Sequence, residues 1–149
     1  MAVCHDFTEL RVYQSAESLD EKIWSLREQI FAQDKATWWQ INRSVGSIAD
    51  NIAEGFGRGS KGECKTFLGY ASGSASEVRS QLRRLRRRSI IDAQLATKLI
   101  DQTQRLERSL KAFIASVRDS PNKGFRHTSQ MMREEPANYG DKDHDALPF

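Results

Sequence analysis

The stretch from Ile41 to Phe67 most constrains how this chain can fold, because it joins an apolar stripe to a run of glycines. Its first half places apolar residues at steps of 4, 3 and 4, a spacing that puts them on one face of an α-helix. These residues are Ile41, Val45, Ile48 and Ile52. Glycines at positions 55, 57 and 59 cannot sustain this helix. The stretch therefore predicts a helix, a tight reversal and a second helix.

A polar stripe runs beside the apolar one. It consists of Ser44, Ser47, Asn51, Glu54 and Arg58, and the last four are the candidate structural seam. Glu54 and Arg58 are spaced to form an ion pair one turn apart. We interpret the stripe as a hydrogen-bonded seam that fixes helix register or contacts another subunit. An amide and a carboxylate on one face would also suit catalysis, but neither a nucleophile nor a base accompanies them. The sequence therefore predicts no catalytic residue and no enzyme.

The second helix of this stretch starts with a capping box, in which Glu63 follows Ser60 by three residues. The sequence before it, GFGRGSKG, superficially resembles a phosphate-binding loop. It follows a helix rather than a strand and matches no nucleotide-binding motif, so a reversal followed by a cap explains it better. The backbone amides at the helix start, together with Arg58 and Lys61, are still candidates for holding a phosphate of a nucleic-acid backbone.

The N-terminal segment shows the same helical periodicity. Apolar residues alternate at steps of 4 and 3 from residue 12 to residue 30, which predicts one continuous first helix. Asp6 and Glu9 are spaced to cap it. Asp34 is placed to cap the next helix, which carries the apolar stripe described above.

Two more apolar seams, at residues 68–85 and 95–117, predict a third and a fourth helix. Gly69 and Gly73 in the third helix cost about 1 kcal/mol each relative to alanine, which predicts close packing against the second helix. Four helices of similar length joined by short turns predict an all-α fold, an antiparallel up-down-up-down four-helix bundle.

Several motifs in this region resemble those of a known family. They are QINRS from Gln40, SIA from Ser47, NIAEG from Asn51 and GR from Gly57, followed by Phe67-Leu68, Ala71, Gly73-Ser74 and Glu77. An N-terminal Phe7-x-x-Leu10-Arg11-Val12-Tyr13 fits as well. Together and in this order they resemble the small bacterial four-helix-bundle family that is also called the 23S rRNA intervening-sequence protein (S23) family. The resemblance covers residues 7–117.

The resemblance implies an antiparallel four-helix bundle that forms homo-oligomers, described for the family as pentamers, without an established catalytic activity. Relatives of similar shape are accessory proteins of diversity-generating retroelements, where they bind a reverse transcriptase and nucleic acid. The partners that the resemblance implies for this chain are therefore further copies of itself, RNA or DNA, and a reverse transcriptase.

Arginine is concentrated in the predicted third helix, where six occur within ten residues and no acid lies among them. They are Arg79, Arg83, Arg84, Arg86, Arg87 and Arg88. At 100° per residue they cover about 200° of the helix surface, on the side away from the apolar seam. One interpretation is a solvated face neutralised by acids of neighbouring helices, such as Glu17, Asp20, Glu21, Glu28 or Glu107. The other is a surface that binds phosphates, for which the planar guanidinium is well suited.

The basic character belongs to the bundle rather than to the C-terminal end. Helical periodicity ends at Pro121, so we assign residues 1–118 to one bundle domain and 119–149 to a disordered tail. The bundle carries 19 basic and 14 acidic residues, a net of +5, and the tail has a net of −2. No apolar run reaches the ~20 residues that span a membrane, and no export signal is apparent. We therefore expect a cytoplasmic protein that does not insert into a membrane.

The cysteines and histidines are too scattered to form a metal site. Cys4 and Cys64 are isolated, and His5, His127 and His144 lie near the two ends of the chain. We predict neither a metal nor a cofactor. The first turn of a helix, where Cys64 falls, can lower a thiol pKa, but we favour a small packing residue at this position.

The leading hypothesis is a non-enzymatic, homo-oligomeric helical bundle that binds the RNA or DNA backbone through its arginines, as an accessory to a ribonucleoprotein or a reverse transcriptase. The alternative is a protein–protein interaction scaffold without nucleic-acid binding, in which the arginines pair with acids of a partner. Affinity for nucleic acid with a steep salt dependence would separate the two.

Overall fold

A computed structural model describes residues 5–119, and every regular element in that range is helical. The elements are a 3₁₀ helix at Phe7–Glu9 and the α-helices α1 Arg11–Trp24, α2 Arg27–Gln33, α3 Lys35–Gly57, α4 Lys61–Arg87 and α5 Ala93–Asp119. The prediction of an all-α chain is thereby confirmed for this range. None of these helices is both long and apolar enough to cross a membrane. The predicted disordered tail, from residue 120 onward, lies outside the described residues.

The prediction of one continuous first helix is wrong, because the structure divides it at Ser25 and Leu26 into α1 and α2. The Ser25 hydroxyl donates a hydrogen bond to the carbonyl oxygen of Lys22 at 2.6 Å, and so competes with the backbone for an acceptor. Leu26 has φ −96° and ψ 3°, in the sparsely populated bridge region. Ile23 and Ile30 are fully buried on either side. The apolar stripe therefore continues across the break although the helix does not.

The start of α1 also differs from the prediction. Asp6 accepts a hydrogen bond from the backbone N–H of Thr8 at 2.8 Å, and this cap belongs to the 3₁₀ helix. Leu10 follows in an extended conformation, and α1 begins after it without a side-chain cap. Because Leu10 is 2% exposed, burial in the core holds the chain in place at this point.

Side-chain caps begin α3 and α4 where the sequence predicts them. The Asp34 carboxylate accepts from the backbone N–H of Thr37 at 3.0 Å. The Ser60 hydroxyl accepts from the backbone N–H of Glu63 at 3.2 Å. Such caps typically contribute about 1 kcal/mol each, because they satisfy amides that have no acceptor inside the helix.

Helices α3, α4 and α5 pack as two successive antiparallel pairs, and α1 packs against α3 and α5. Two contacts show that α3 and α4 are antiparallel, because the residue number rises along α3 while it falls along α4. Ser44 Oγ donates to Glu77 Oε2 at 3.0 Å, and Ser47 Oγ lies 3.0 Å from Ser74 Oγ. The largest fully buried side chains are Phe113, Leu10, Leu19, Ile23, Ile30, Ile41, Ile48, Ile52, Leu68, Leu82, Leu85 and Leu99. Burial of each of these side chains stabilises the fold by roughly 1.5–3 kcal/mol. The apolar stripes to which they belong therefore determine which helix faces are buried and which face the solvent.

The turn after α4 is held by its own backbone and by α2. Ser89 has φ 55°, the left-handed conformation that ends many helices. Ile90 N–H donates to the carbonyl oxygen of Leu85, and Ser89 N–H to that of Arg86, both at 3.0 Å, which together form a Schellman motif. Gln29 Nε2 of α2 donates to the carbonyl oxygen of Ile90 at 2.8 Å. The turn therefore fixes the arginine-rich end of α4 beside α2.

Gly69 and Gly73 of α4 do not make the close contact with α3 that their low helix propensity predicts. A Cβ atom at Gly69 or Gly73 would meet no heavy atom within 4 Å, and both residues are exposed. The close approach occurs at Gly55 of α3, where a Cβ would lie 3.2 Å from both the carbonyl oxygen of Cys64 and the Cβ of Phe67. The predicted contact at Gly69 and Gly73 is thus wrong within this chain, and α4 has an open face there.

Candidate nucleic-acid interface

Arg79 is tied to α5. Its Nε lies 3.2 Å from Oε2 of Glu107, a residue that is only 7% exposed. The Ser76 hydroxyl donates to the other carboxylate oxygen of Glu107 at 2.6 Å. A buried carboxylate needs such partners, because removing one member of a buried ion pair costs about 3–5 kcal/mol. Arg79 is therefore a structural link between α4 and α5.

Arg88 joins the end of α4 to the start of α3. Its Nη1 lies 2.7 Å from Oδ2 of Asp34, the residue that caps α3. The hydrogen bonds from Thr37, first from its backbone N–H and then from its hydroxyl, lower the pKa of Asp34, and Arg88 lowers it further. Arg79 and Arg88 thus have acidic partners on neighbouring helices, as the first interpretation of the arginine run requires.

Arg84 and Arg86 bind neutral acceptors. Nη1 of Arg84 donates to Oε1 of Gln40 on α3, and Nη1 of Arg86 donates to Oγ1 of Thr97 on α5, both at 3.2 Å. A hydrogen bond to a neutral group positions a guanidinium without cancelling its charge. Both residues therefore contribute to the positive potential at this end of α4.

Arg83 and Arg87 are the arginines of the run that remain available to a ligand. Both are exposed, and a spacing of four residues puts them one turn apart on the outer face of α4. Among residues 5–119 neither has an ion-pair or hydrogen-bond partner. Together with Arg84 and Arg86 they form a surface of uncompensated positive charge, which we call the arginine face.

The first half of the polar seam connects α3 with α4. Asn51 Nδ2 donates to the carbonyl oxygen of Ser47 at 2.8 Å and to its hydroxyl at 3.0 Å. The same Ser47 hydroxyl meets Ser74 of α4 at 3.0 Å. These polar groups therefore satisfy one another, and they align the two helices.

The second half of the seam surrounds the start of α4. Arg58 Nη2 donates to Glu54 Oε1 at 2.5 Å, and Arg58 Nη1 lies 3.7 Å from Glu63 Oε1. The guanidinium of Arg58 also lies 4.9 Å from the ring centroid of Phe67. Two carboxylates thus compensate Arg58 close to Lys61, the first residue of α4. The start of α4 is for this reason a weaker phosphate site than the arginine face.

The structure also forms an aromatic surface that the sequence reasoning missed. Trp39 is 61% exposed, and its ring centroid lies 6.2 Å from that of Phe31 of α2, with the ring planes at 85°. We call these two rings the aromatic platform. Lys35, Trp39 and Arg43 recur every four residues along α3, so one basic residue lies a turn away on each side of Trp39. This spacing is visible in the sequence and was the signal that could have found the platform.

A polar groove of about 580 Å³ lies between α3 and α4, with Arg43 and Arg84 in its lining. Gln81 also lines the groove and is 8% exposed. Its Nε2 donates to Ser44 Oγ at 3.4 Å, but its Oε1 has no hydrogen-bond partner among the described residues. A buried polar atom without a partner costs about 1–3 kcal/mol. If the Gln81 amide turned toward the groove, a ligand could donate a hydrogen bond to this oxygen and recover that cost. Glu77 supplies a second acceptor.

Cys64 has the packing role. It is fully buried, and burial raises the pKa of its thiol to about 12, so the alternative of a lowered pKa is wrong. No cluster of three metal-binding side chains occurs within residues 5–119. Cys4, His127 and His144 lie outside that range.

Comparison with known proteins gives one family. The model of the family described as 23S rRNA-intervening sequence protein matches residues 8–112. The chain is also similar to a protein with unknown function from the S23 ribosomal protein family of Bacteroides thetaiotaomicron VPI-5482, known from a crystal structure. The TM-score is 0.65 and the identity 23%, over 69% of this chain and 97% of the other, so this likeness establishes the fold alone. No curated protein matches the chain.

Proposed function

Because the chain belongs to the 23S rRNA-intervening sequence protein family, we propose that it is a cytoplasmic, non-enzymatic homo-oligomer that binds the backbone of RNA or DNA. In this proposal α1 and α2 together form one arm of an antiparallel four-helix bundle, and α3, α4 and α5 form the other three. The arginine face contacts the phosphates. The protein then acts as an accessory to a ribonucleoprotein or a reverse transcriptase.

The observation that carries the proposal is the uncompensated charge of the arginine face. Arg83 and Arg87 are exposed and have no partner in the described part of the chain, while Arg84 and Arg86 bind neutral oxygen atoms. Four positive charges within two turns of one helix attract a polyanion, and guanidinium groups suit phosphate oxygens. Contacts of this kind give affinity without reading a base sequence.

The open face of α4 supports assembly. Gly69 and Gly73 leave space where a side chain would stand, and the neighbouring Tyr70 is 58% exposed. A second copy could approach this face closely, and the exposed ring would then become buried. Assembly would repeat the arginine face around the oligomer, so that one nucleic acid meets several copies of it and binds more tightly.

Replacing Arg83 and Arg87 by glutamine tests the nucleic-acid contact. On duplex DNA, each phosphate contact that is lost should reduce the magnitude of the slope of log affinity against log salt concentration by ~0.9. The slope of the double variant should therefore be smaller than that of the parent protein by up to ~1.8. Fluorescence anisotropy with unrelated duplex sequences, from low to moderate salt, measures this slope. The matched control changes Arg105 and Lys111, two exposed basic residues of α5, to glutamine. An equal loss in the control, or no binding by the parent protein even at low salt, would contradict the proposal.

A protein-interaction scaffold is the second candidate, because Arg79 and Arg88 already bind carboxylates and the arginine face could do the same with a partner protein. In that case the parent protein would bind no nucleic acid at low salt. The double variant would then lose its oligomeric mass or its protein partner instead.

Light scattering tests the assembly. The purified protein should have a mass several times 17.0 kDa, and Gly73→Glu should reduce it, because a charged side chain would stand on the open face of α4. Gly46→Glu is the matched control, since Gly46 lies on α3 and a Cβ there also meets nothing within 4 Å. A monomeric mass for the parent protein at micromolar concentration would refute the oligomer.

A further inference from the structure

We infer that the aromatic platform and the polar groove between α3 and α4 bind unpaired bases of a single-stranded or looped nucleic acid. The inference rests on the proposed function and names the substrate class within it. The arginine face holds phosphates of any nucleic acid, whereas the platform and the groove select strands whose bases are not paired.

The platform offers a fixed aromatic surface to a base. The rings of Phe31 and Trp39 meet nearly at right angles, so the Phe31 contact supports the indole without stacking on it. Trp39 is 61% exposed and can accept a planar group. Bases in a duplex stack on one another, so a base that stacks on Trp39 must come from a single strand or a loop.

The charges around the platform fit the backbone of such a strand. Lys35 and Arg43 lie one helical turn before and after Trp39, and Arg84 lines the same groove as Arg43. Lys35 Nζ is 5.2 Å from the Phe31 ring centroid, which places a positive charge at the platform itself. The phosphates before and after a base stacked on Trp39 would therefore lie near cations.

The acceptors of the groove fit the edge of an unpaired base. Oε1 of Gln81 has no partner within residues 5–119, although Gln81 is more than nine-tenths buried. Glu77 Oε2 accepts from Ser44 at 3.0 Å and retains further lone pairs. Amino and imino groups of bases donate to such oxygens, and in a duplex pairing occupies the imino groups and one hydrogen of each amino group. An unpaired base can present its whole Watson–Crick edge, with imino and amino donors together, to these oxygens.

Exposed aromatic residues also occur where proteins bind each other. The mixture found here favours a nucleic acid, since cations flank the ring and the groove that Arg43 lines contains Gln81, whose oxygen lacks a partner among the described residues. A hydrophobic protein surface would leave the oxygen of Gln81 without a donor. The protein alternative is kept as an outcome of the experiment below.

The experiment compares Trp39→Leu with the parent protein on two labelled probes, a single-stranded RNA of ~12 nucleotides and the RNA duplex of the same sequence. This length lies within the ~4–16 nucleotides that an OB-fold domain occupies on a single strand. Loss of stacking should weaken single-strand binding about 5- to 100-fold and leave duplex binding unchanged. Trp24→Leu is the matched control. Trp24 is 48% exposed, but the guanidinium of Arg27 lies 5.0 Å from its ring centroid, so this ring is not open in the same way. The control should bind both probes as the parent does.

Tryptophan fluorescence gives an independent reading, because single-stranded RNA should quench the parent protein and should quench Trp39→Leu less. If the two probes bind equally and Trp39→Leu changes neither affinity, the inference fails while the proposed phosphate contact stands. If no probe binds to the parent protein, both fail. If Trp39→Leu instead lowers the mass of the assembly without changing single-strand affinity, the platform lies between copies of the chain and the inference is overturned.

Discussion

Replacing Arg79 by glutamine should lower the free energy of unfolding by about 2–3 kcal/mol, because it leaves the buried Glu107 carboxylate without its cation. Glu107 is 7% exposed and would retain only the hydrogen bond from Ser76. The expected loss is below the full cost of breaking a buried pair, since the Arg79 side chain is 36% exposed and water screens part of the charge. Urea unfolding followed by circular dichroism measures the difference.

Arg83→Gln is the control for this prediction, because it makes the same chemical change one turn further along α4 at an exposed arginine without a partner in the described residues. It should alter the free energy of unfolding by no more than about 0.5 kcal/mol. Combining Arg79→Gln with Glu107→Gln should cost less than the sum of the two single losses, because the double variant leaves neither charge of the pair alone. Equal stability losses in Arg79→Gln and Arg83→Gln would show that the pair with Glu107 is not structural.

Alanine substitutions at two glycines should change stability in opposite directions. At Gly73 the new Cβ would meet no heavy atom within 4 Å, so alanine should raise the free energy of unfolding by about 0.8–1 kcal/mol through its helix propensity. At Gly55 the new Cβ would lie 3.2 Å from the backbone oxygen of Cys64 and from the Cβ of Phe67. Neither atom can rotate away, so crowding of about 1–3 kcal/mol should exceed the gain in propensity and lower stability.

Thermal and urea unfolding of Gly55→Ala and Gly73→Ala measure both effects. If both substitutions raise the free energy of unfolding, the start of α4 must shift away from a Cβ at residue 55 at little cost. A loss of stability in Gly73→Ala, accompanied by a lower mass in light scattering, would place the open face of α4 between copies of the chain.

The sequence by itself determined the residues of the core and where α3 and α4 begin. The stripe of Ile41, Ile48 and Ile52 is buried as its spacing predicts, and Asp34 and Ser60 cap the helices that follow them. These features depend on residues three or four positions apart. Helical geometry converts such spacing directly into a shared face or a cap, so no knowledge of the tertiary structure is needed.

Local features that competed with the periodic pattern were harder to predict. The pattern across residues 12–30 is unbroken, yet the chain leaves the helix at Ser25, where a serine hydroxyl occupies a backbone acceptor. Helix periodicity records only which residues are buried. It therefore does not report whether the backbone between them stays helical.

Only the tertiary structure decided which arginines are available to a ligand. No acid lies among the six arginines in the sequence, and the carboxylates that bind Arg79 and Arg88 come from Glu107 on α5 and Asp34 before α3. The same packing brings Trp39 beside Phe31 and leaves the oxygen of Gln81 without a partner among the described residues. Such contacts depend on the rotation and register of one helix against another. The packing of all the buried stripes together sets these two quantities, so no spacing within a single helix reveals them.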